Sequence, residues 1–148
     1  MREKKITLEA RLDNLDEVTG FIEAGLEEAG CGMKQIMQIN LAVEEIYVNI
    51  AHYAYGQKDS DGNIIPDTGT GPAEIILDTD ESRILLTFID EGTEYDPLKK
   101  EDPDTTLSAE DREIGGLGIF MVKKVMDEVT YRYEDGKNIL SLTKMRTS

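Results

Sequence analysis

Between residues 4 and 12, Ile6, Leu8, Ala10 and Leu12 alternate with Thr7, Glu9 and Arg11, the period of a strand with one buried face. Asn14 and Glu17 follow, a pairing that predicts a helix N-cap with a capping-box partner. The helix they open carries Leu15, Val18, Ile22 and Leu26 on its inner stripe and ends near EAGCGM. A longer helix is predicted over residues 33–55, burying Ile36, Ile39, Val43, Ile46 and Ile50. Residues 73–78, with Ile75 and Leu77 on one face, and the apolar run within 83–90 predict two strands joined by DTDES. A last helix begins near Leu117, bearing Ile119, Phe120, Val122, Val125 and Met126. Residues 128–134 and 138–144 then form a hairpin around DGK.

Two stretches lack periodicity. Residues 56–72, GQKDSDGNIIPDTGTGP, are rich in Gly, Asp and Pro and read either as a hairpin tip around 63–65 or as disorder. Residues 91–116 form an acidic connection longer than a compact domain needs, a form common among lids and binding loops. Helices interspersed with hairpin-connected strands predict an α/β fold of the α+β kind. It is a two-layer sandwich with helices packed on one face of a mixed, mostly antiparallel sheet. We expect one domain over residues 1–148.

The 16 basic and 31 acidic residues give a net charge of −15, which argues against direct nucleic-acid binding. It also means that a polyphosphate ligand needs local help from Mg²⁺, helix N-termini and backbone amides. The single cysteine, Cys31, permits no intramolecular disulfide, and a reducing, cytoplasmic setting is expected. No apolar run approaches the length of a membrane span, and MREKK leads into no signal-type segment.

Three short patterns carry candidate chemistry. Glu45 and Asn49 stand four residues apart on the long helix, on one face and one turn apart. An acid beside an amide oxygen suits proton transfer and ligation of a hard cation, although such pairs also occur on solvated faces. Asp90 ends an apolar strand and Gly92 follows. A carboxylate there can accept from an exocyclic amine while the glycine admits a planar ring; an ordinary strand exit has the same composition. Gly115, Gly116 and Gly118 precede or open the last helix, where free N–H groups can face phosphates; a flexible loop is the plain alternative. GxxxxGK[ST], HRD and DFG are absent, and Met121 occupies the third glycine position of GxGxxG.

The order of these patterns, with AVEEIYVNIAHYAY, DEGTEYDP and DREIGGLGIFMVKKVMDEV around them, resembles the GHKL (Bergerat-fold, histidine-kinase-like) ATPase superfamily. More narrowly it resembles the bacterial anti-sigma-factor serine/threonine kinases of partner-switching pathways. The resemblance implies Glu45 as catalytic base and Asn49 as the ligand of Mg²⁺ on ATP. It implies Asp90 as acceptor of the adenine amine, with Gly92 close to the ring. The amides of Gly116, Leu117, Gly118 and Ile119, with Gly115 before them, would cradle phosphates, and residues 98–114 would be the ATP lid. Arg112 would reach a phosphate or remain a solvated lid charge.

Departures from the family pattern are visible. Glu94 stands where the superfamily often has a second glycine, while TEYDP fits the kinase branch better than gyrase-like relatives. Tyr53 occupies the usual histidine position and the only histidine, His52, falls one earlier. The 56–72 segment is longer than the usual link, and no phosphoacceptor helix pair precedes the ATP-binding part. The resemblance therefore implies an ATP-dependent protein kinase and anti-sigma factor that phosphorylates a STAS-type antagonist, binds a sigma factor or other output protein, and forms a homodimer. The alternative is a nucleotide-gated binding regulator without phosphotransfer. An ATP-hydrolysing part of a larger machine is disfavoured.

Overall fold

The computed structural model describes residues 2–99 and 116–146. Its strands are β1 (Arg2–Glu9), β2 (Pro72–Thr79), β3 (Arg83–Asp90), β4 (Glu128–Glu134) and β5 (Lys137–Met145). They form one sheet in the order β1-β2-β3-β5-β4, and every pairing is antiparallel. The mixed component expected from the sequence is therefore absent among the described strands. The helices are α1 (Leu15–Glu28), α2 (Met33–Asn49) and α3 (Gly116–Val125).

Alternation decides which sheet face is covered. Ala73, Ile75 and Leu77 of β2, Ile84, Leu86 and Phe88 of β3, and Leu140 and Leu142 of β5 are buried. All of these but Ala73 meet Val18, Ile22 and Leu26 of α1, Ile36, Ile39, Val43 and Ile46 of α2, and Ile119 and Val122 of α3 in one core. Removing that apolar surface from water is the main force holding the layers together. α2 packs against both α1 and α3. It is thus the central helix of its layer.

Two local expectations are corrected. The first strand ends at Glu9, and Leu12 opens a short 3₁₀ turn, Leu12–Asn14, with its side chain exposed. The cause is Tyr47 of α2, fully buried, whose hydroxyl accepts from Arg11 N at 3.1 Å and donates to Arg11 O at 2.7 Å. That grip turns the backbone away from the sheet. Asn14 precedes α1 but makes no side-chain cap; its Nδ2 donates instead to Glu9 O at 2.8 Å.

α2 does not stop at Asn49. The chain continues as a wider π turn, Ile50–Ala54, a feature that often accompanies functional sites. Its terminal carbonyl, on Ala54, accepts from Thr93 N at 2.9 Å, so the end of the central helix is tied to the segment leaving β3.

Candidate functional site

Asp90 is the last inward-facing residue of β3, two positions beyond Phe88. Its register partners are Ala73 on β2 and Asn138 on β5. The carboxylate is buried, with Oδ1 accepting from Asn138 Nδ2 and from Gly92 N, both at 2.9 Å. Oδ2 accepts nothing from the described residues. Burial pushes the carboxyl above the usual Asp value, while the Asn138 and Gly92 hydrogen bonds pull the other way.

Asn138 is a hub. Its Nδ2 also reaches Thr93 O at 3.0 Å and Gly92 O at 3.3 Å. Its Oδ1 accepts from Tyr95 N at 3.1 Å and Tyr131 hydroxyl at 2.5 Å. One side chain thereby fixes Asp90, the turn after β3 and the β4–β5 edge together. Burial raises the Tyr131 phenol above its ordinary value, so near neutral pH it serves Asn138 as a donor.

Above this floor lies a cavity of about 630 Å³, of the size that holds a drug-sized or cofactor ligand. Asn49 at the end of α2, with Ile50 and Tyr53 of the π turn, forms one wall, Ile119 of α3 another, and Asp90 and Asn138 the floor. Gly92 lies in the chain between the lining residues Asp90 and Thr93 but is not itself among them. A Cβ there would lie 2.1 Å from Ala54 O, so only glycine lets the post-β3 turn meet the end of the π turn.

Glu45, half-buried, is absent from the cavity lining and stands beside it at the start of α3. A Cβ on Gly118 would come within 2.6 Å of Glu45 Oε2, so the lack of a side chain at Gly118 makes room for the carboxylate. The structure thus brings together Asn49, Asp90 and Ile119 around one space, with Gly92 and Gly118 each next in the chain to a lining residue and Glu45 against Gly118. Gly116 and Leu117 open α3. Arg112, Gly115 and most of the expected lid at residues 98–114 lie outside the described residues. A smaller groove of about 220 Å³ between α1 and α2 contains none of these residues.

Sequence reasoning missed Asn138, Tyr131, Tyr95 and the contribution of residues 58–66, which supply Lys58, Ile64 and Pro66 to the cavity. The one available signal for Asn138 was a polar residue at the inward start of a strand predicted to follow a tight turn. Tyr53, standing where the resemblance expects a histidine, lines the cavity. His52 instead pairs with Asp67, its Nδ1 lying 2.5 Å from Asp67 Oδ1.

A helix-covered antiparallel sheet with an acid-floored cavity between helix and strand end is the architecture of a Bergerat-type ATPase. A family model described as histidine kinase-like ATPase domain matches residues 8–144. Serine-protein kinase RsbW of Staphylococcus aureus (strain bovine RF122 / ET3-1) is 29% identical over 157 residues, covering 97% of this chain and 89% of that protein. RsbW of Listeria monocytogenes serotype 4a (strain HCC23) is 28% identical over 116 residues, covering 76% and 68%. The crystal structure of the RsbU and RsbW domains of Rv1364c from Mycobacterium tuberculosis aligns with all of this chain at TM-score 0.65 and 16% identity. That likeness is one of fold, and this chain spans 34% of that one. The chain belongs to the histidine kinase-like ATPase family, and it is similar to these serine-protein kinases.

The donor set bears on which cofactors fit. No three His, Cys, Asp or Glu side chains cluster as a metal cage among the described residues. Mg²⁺ keeps few protein ligands and completes its shell from phosphates and water, so a single amide oxygen from Asn49 suits a nucleotide-borne ion. Asp90 Oδ2, which has no donor among the described residues, has the chemistry to accept from an amine. No helix among the described residues is long and apolar enough to cross a membrane.

Proposed function

We propose that this chain is a Mg²⁺-ATP-dependent protein-serine/threonine kinase and anti-sigma factor. It would act in the cytoplasm as a homodimer, phosphorylating a STAS-type antagonist and otherwise holding a sigma factor or another output protein. The observation that carries the reading is the placement of Glu45 against Gly118 at the start of α3, one turn from the cavity-lining Asn49. The serine-protein kinase relatives support it.

In this reading Asp90 Oδ2 accepts the adenine amine, and Gly92 keeps the ring side clear. The amides of Gly116, Leu117, Gly118 and Ile119, at the positive end of α3, meet the phosphates. Arg112 and Gly115 would add to that cradle from the preceding segment. Mg²⁺, held on the protein by Asn49, would offset phosphate charge in a strongly acidic chain. Glu45 orients the substrate hydroxyl and takes its proton as the oxygen attacks the γ-phosphorus and ADP leaves. Positioning and oriented dipoles carry most of such a reaction.

The direct test incubates the chain with labelled ATP and a purified STAS-type antagonist. Wild type should transfer phosphate to a Ser or Thr, and Glu45→Gln should lose about a hundredfold or more in rate while still binding ATP. Transfer undiminished in Glu45→Gln would remove the base assignment. The position of Glu45 outside the cavity lining is the one observation favouring the alternative, a nucleotide-gated binder. ATP binding without transfer to any antagonist would establish that alternative.

A further inference from the structure

Residues 56–72 are a pinned wall of the cavity. Lys58 and Ile64 form a bridge, Asp59 N donates to Asn63 O at 2.9 Å, and Asp59 Oδ1 accepts from Asp61 N and Asn63 N at 2.9 Å each. The small hairpin is closed at its base, where Ile65 N donates to Gln57 O at 2.8 Å and Gln57 N to Thr68 Oγ1 at 2.6 Å. The return limb is fixed to the π turn. Asp67 N donates to His52 O at 2.9 Å, the His52 ring meets the Asp67 carboxylate, and a Cβ on Gly69 would lie 2.1 Å from Tyr55 O.

These ties hold Lys58, Ile64 and Pro66 at the cavity. Among the described lining residues Lys58 is the only cation, and the other charged groups there are Asp90 and Glu94. Lys58 is exposed and makes no ion pair among the described residues. The nearest acid in sequence, Asp59, spends its Oδ1 on the hairpin tip. An anion entering a cavity with two acids, in a chain of net charge −15, meets repulsion that one fixed-base lysine can offset. An ammonium on a flexible stem suits a phosphate as a point charge. Its backbone is already ordered, which lowers the entropy lost on binding.

We propose that the hairpin of residues 57–65 is a part of the nucleotide site and that Lys58 pairs with a phosphate of the bound nucleotide. The proposal rests on the nucleotide reading above. The test is a titration of the full chain with ATP and, separately, with adenosine, using wild type, Lys58→Ala and Lys58→Glu. ATP affinity should fall about fivefold in Lys58→Ala and further in Lys58→Glu, with the loss shrinking at high salt. Adenosine affinity should be the same in all three. Unchanged ATP affinity in both variants would overturn the proposal and leave the nucleotide site standing. Equal losses for ATP and adenosine would also overturn it, assigning the hairpin a role of shape alone. Wild type that binds neither ligand would overturn the nucleotide reading and this inference with it.

Discussion

Asn138 Nδ2 donates to Asp90 Oδ1 at 2.9 Å across the β3–β5 register, in a buried carboxylate that lines the cavity and whose other oxygen has no donor among the described residues. The same amide joins the turn after β3 to the β4–β5 hairpin. Asn138→Leu keeps the volume and strips every one of these bonds, leaving buried polar groups unsatisfied. The expected loss is about 3 kcal/mol of stability, read by urea denaturation, together with loss of ATP binding. A variant as stable as wild type would show that the hub is dispensable.

Asp90→Asn separates folding from binding. Burial holds the carboxyl above its ordinary 3.8. A raised folded value lends stability that is fully present below 3.8 and lost as pH rises through the folded value. Near neutral pH, wild type therefore carries the cost of a buried charge, which the amide removes while its Oδ1 still accepts from Asn138 and Gly92. Asp90→Asn should melt at or above the wild-type temperature near pH 7, and the gap should close as pH falls towards 3.8. ATP binding should be lost, because Nδ2 presents a donor to the purine amine. Calorimetric melting across pH reads the first effect and titration the second.

Gly92→Ala places a methyl 2.1 Å from Ala54 O, a backbone atom with little room to move. The turn after β3 must shift and the Thr93–Ala54 hydrogen bond must stretch. The expected cost is about 2 kcal/mol, measured as a lowered denaturation midpoint with weakened ATP affinity. An unchanged midpoint would mean that the helix end and the turn are less tightly joined than the contact indicates.

Gly118→Ala acts differently, because the atom it meets is the end of a flexible side chain, Glu45 Oε2 at 2.6 Å. The carboxylate can swing aside, and alanine favours the helix by up to about 1 kcal/mol. Stability should hold or rise while phosphotransfer falls about tenfold to a hundredfold through misplacement of the base. Transfer at the wild-type rate would show that Glu45 does not act from this position.

The strands over residues 83–90 and 128–134 were legible to the residue, the first as an apolar run beside the DTDES turn and the second as one limb of a hairpin around DGK. Helix stripes were equally clear: Val18, Ile22 and Leu26, like Ile36, Ile39 and Val43, are buried as their spacing predicts. The position of Asp90 at the end of its strand was legible because a strand exit is a local event, whereas the close approach that Gly92 makes is to Ala54 O, 38 positions away. Asn138 was not, since its role arises from register with a residue 48 positions away. Residues 56–72 carry no period because backbone bonds to the π turn, rather than a buried face, hold them. Asn14 looked like a cap, yet its side chain turns back to the preceding strand.

The most direct measurement of the central claim is calorimetric titration of ATP, with and without Mg²⁺, into wild type, Asn49→Ala and Glu45→Gln. Wild type should bind in the micromolar range and depend on Mg²⁺, Asn49→Ala should nearly lose binding, and Glu45→Gln should keep it. Wild type that takes up no ATP, or Asn49→Ala that binds it as wild type does with the same Mg²⁺ dependence, would contradict the account.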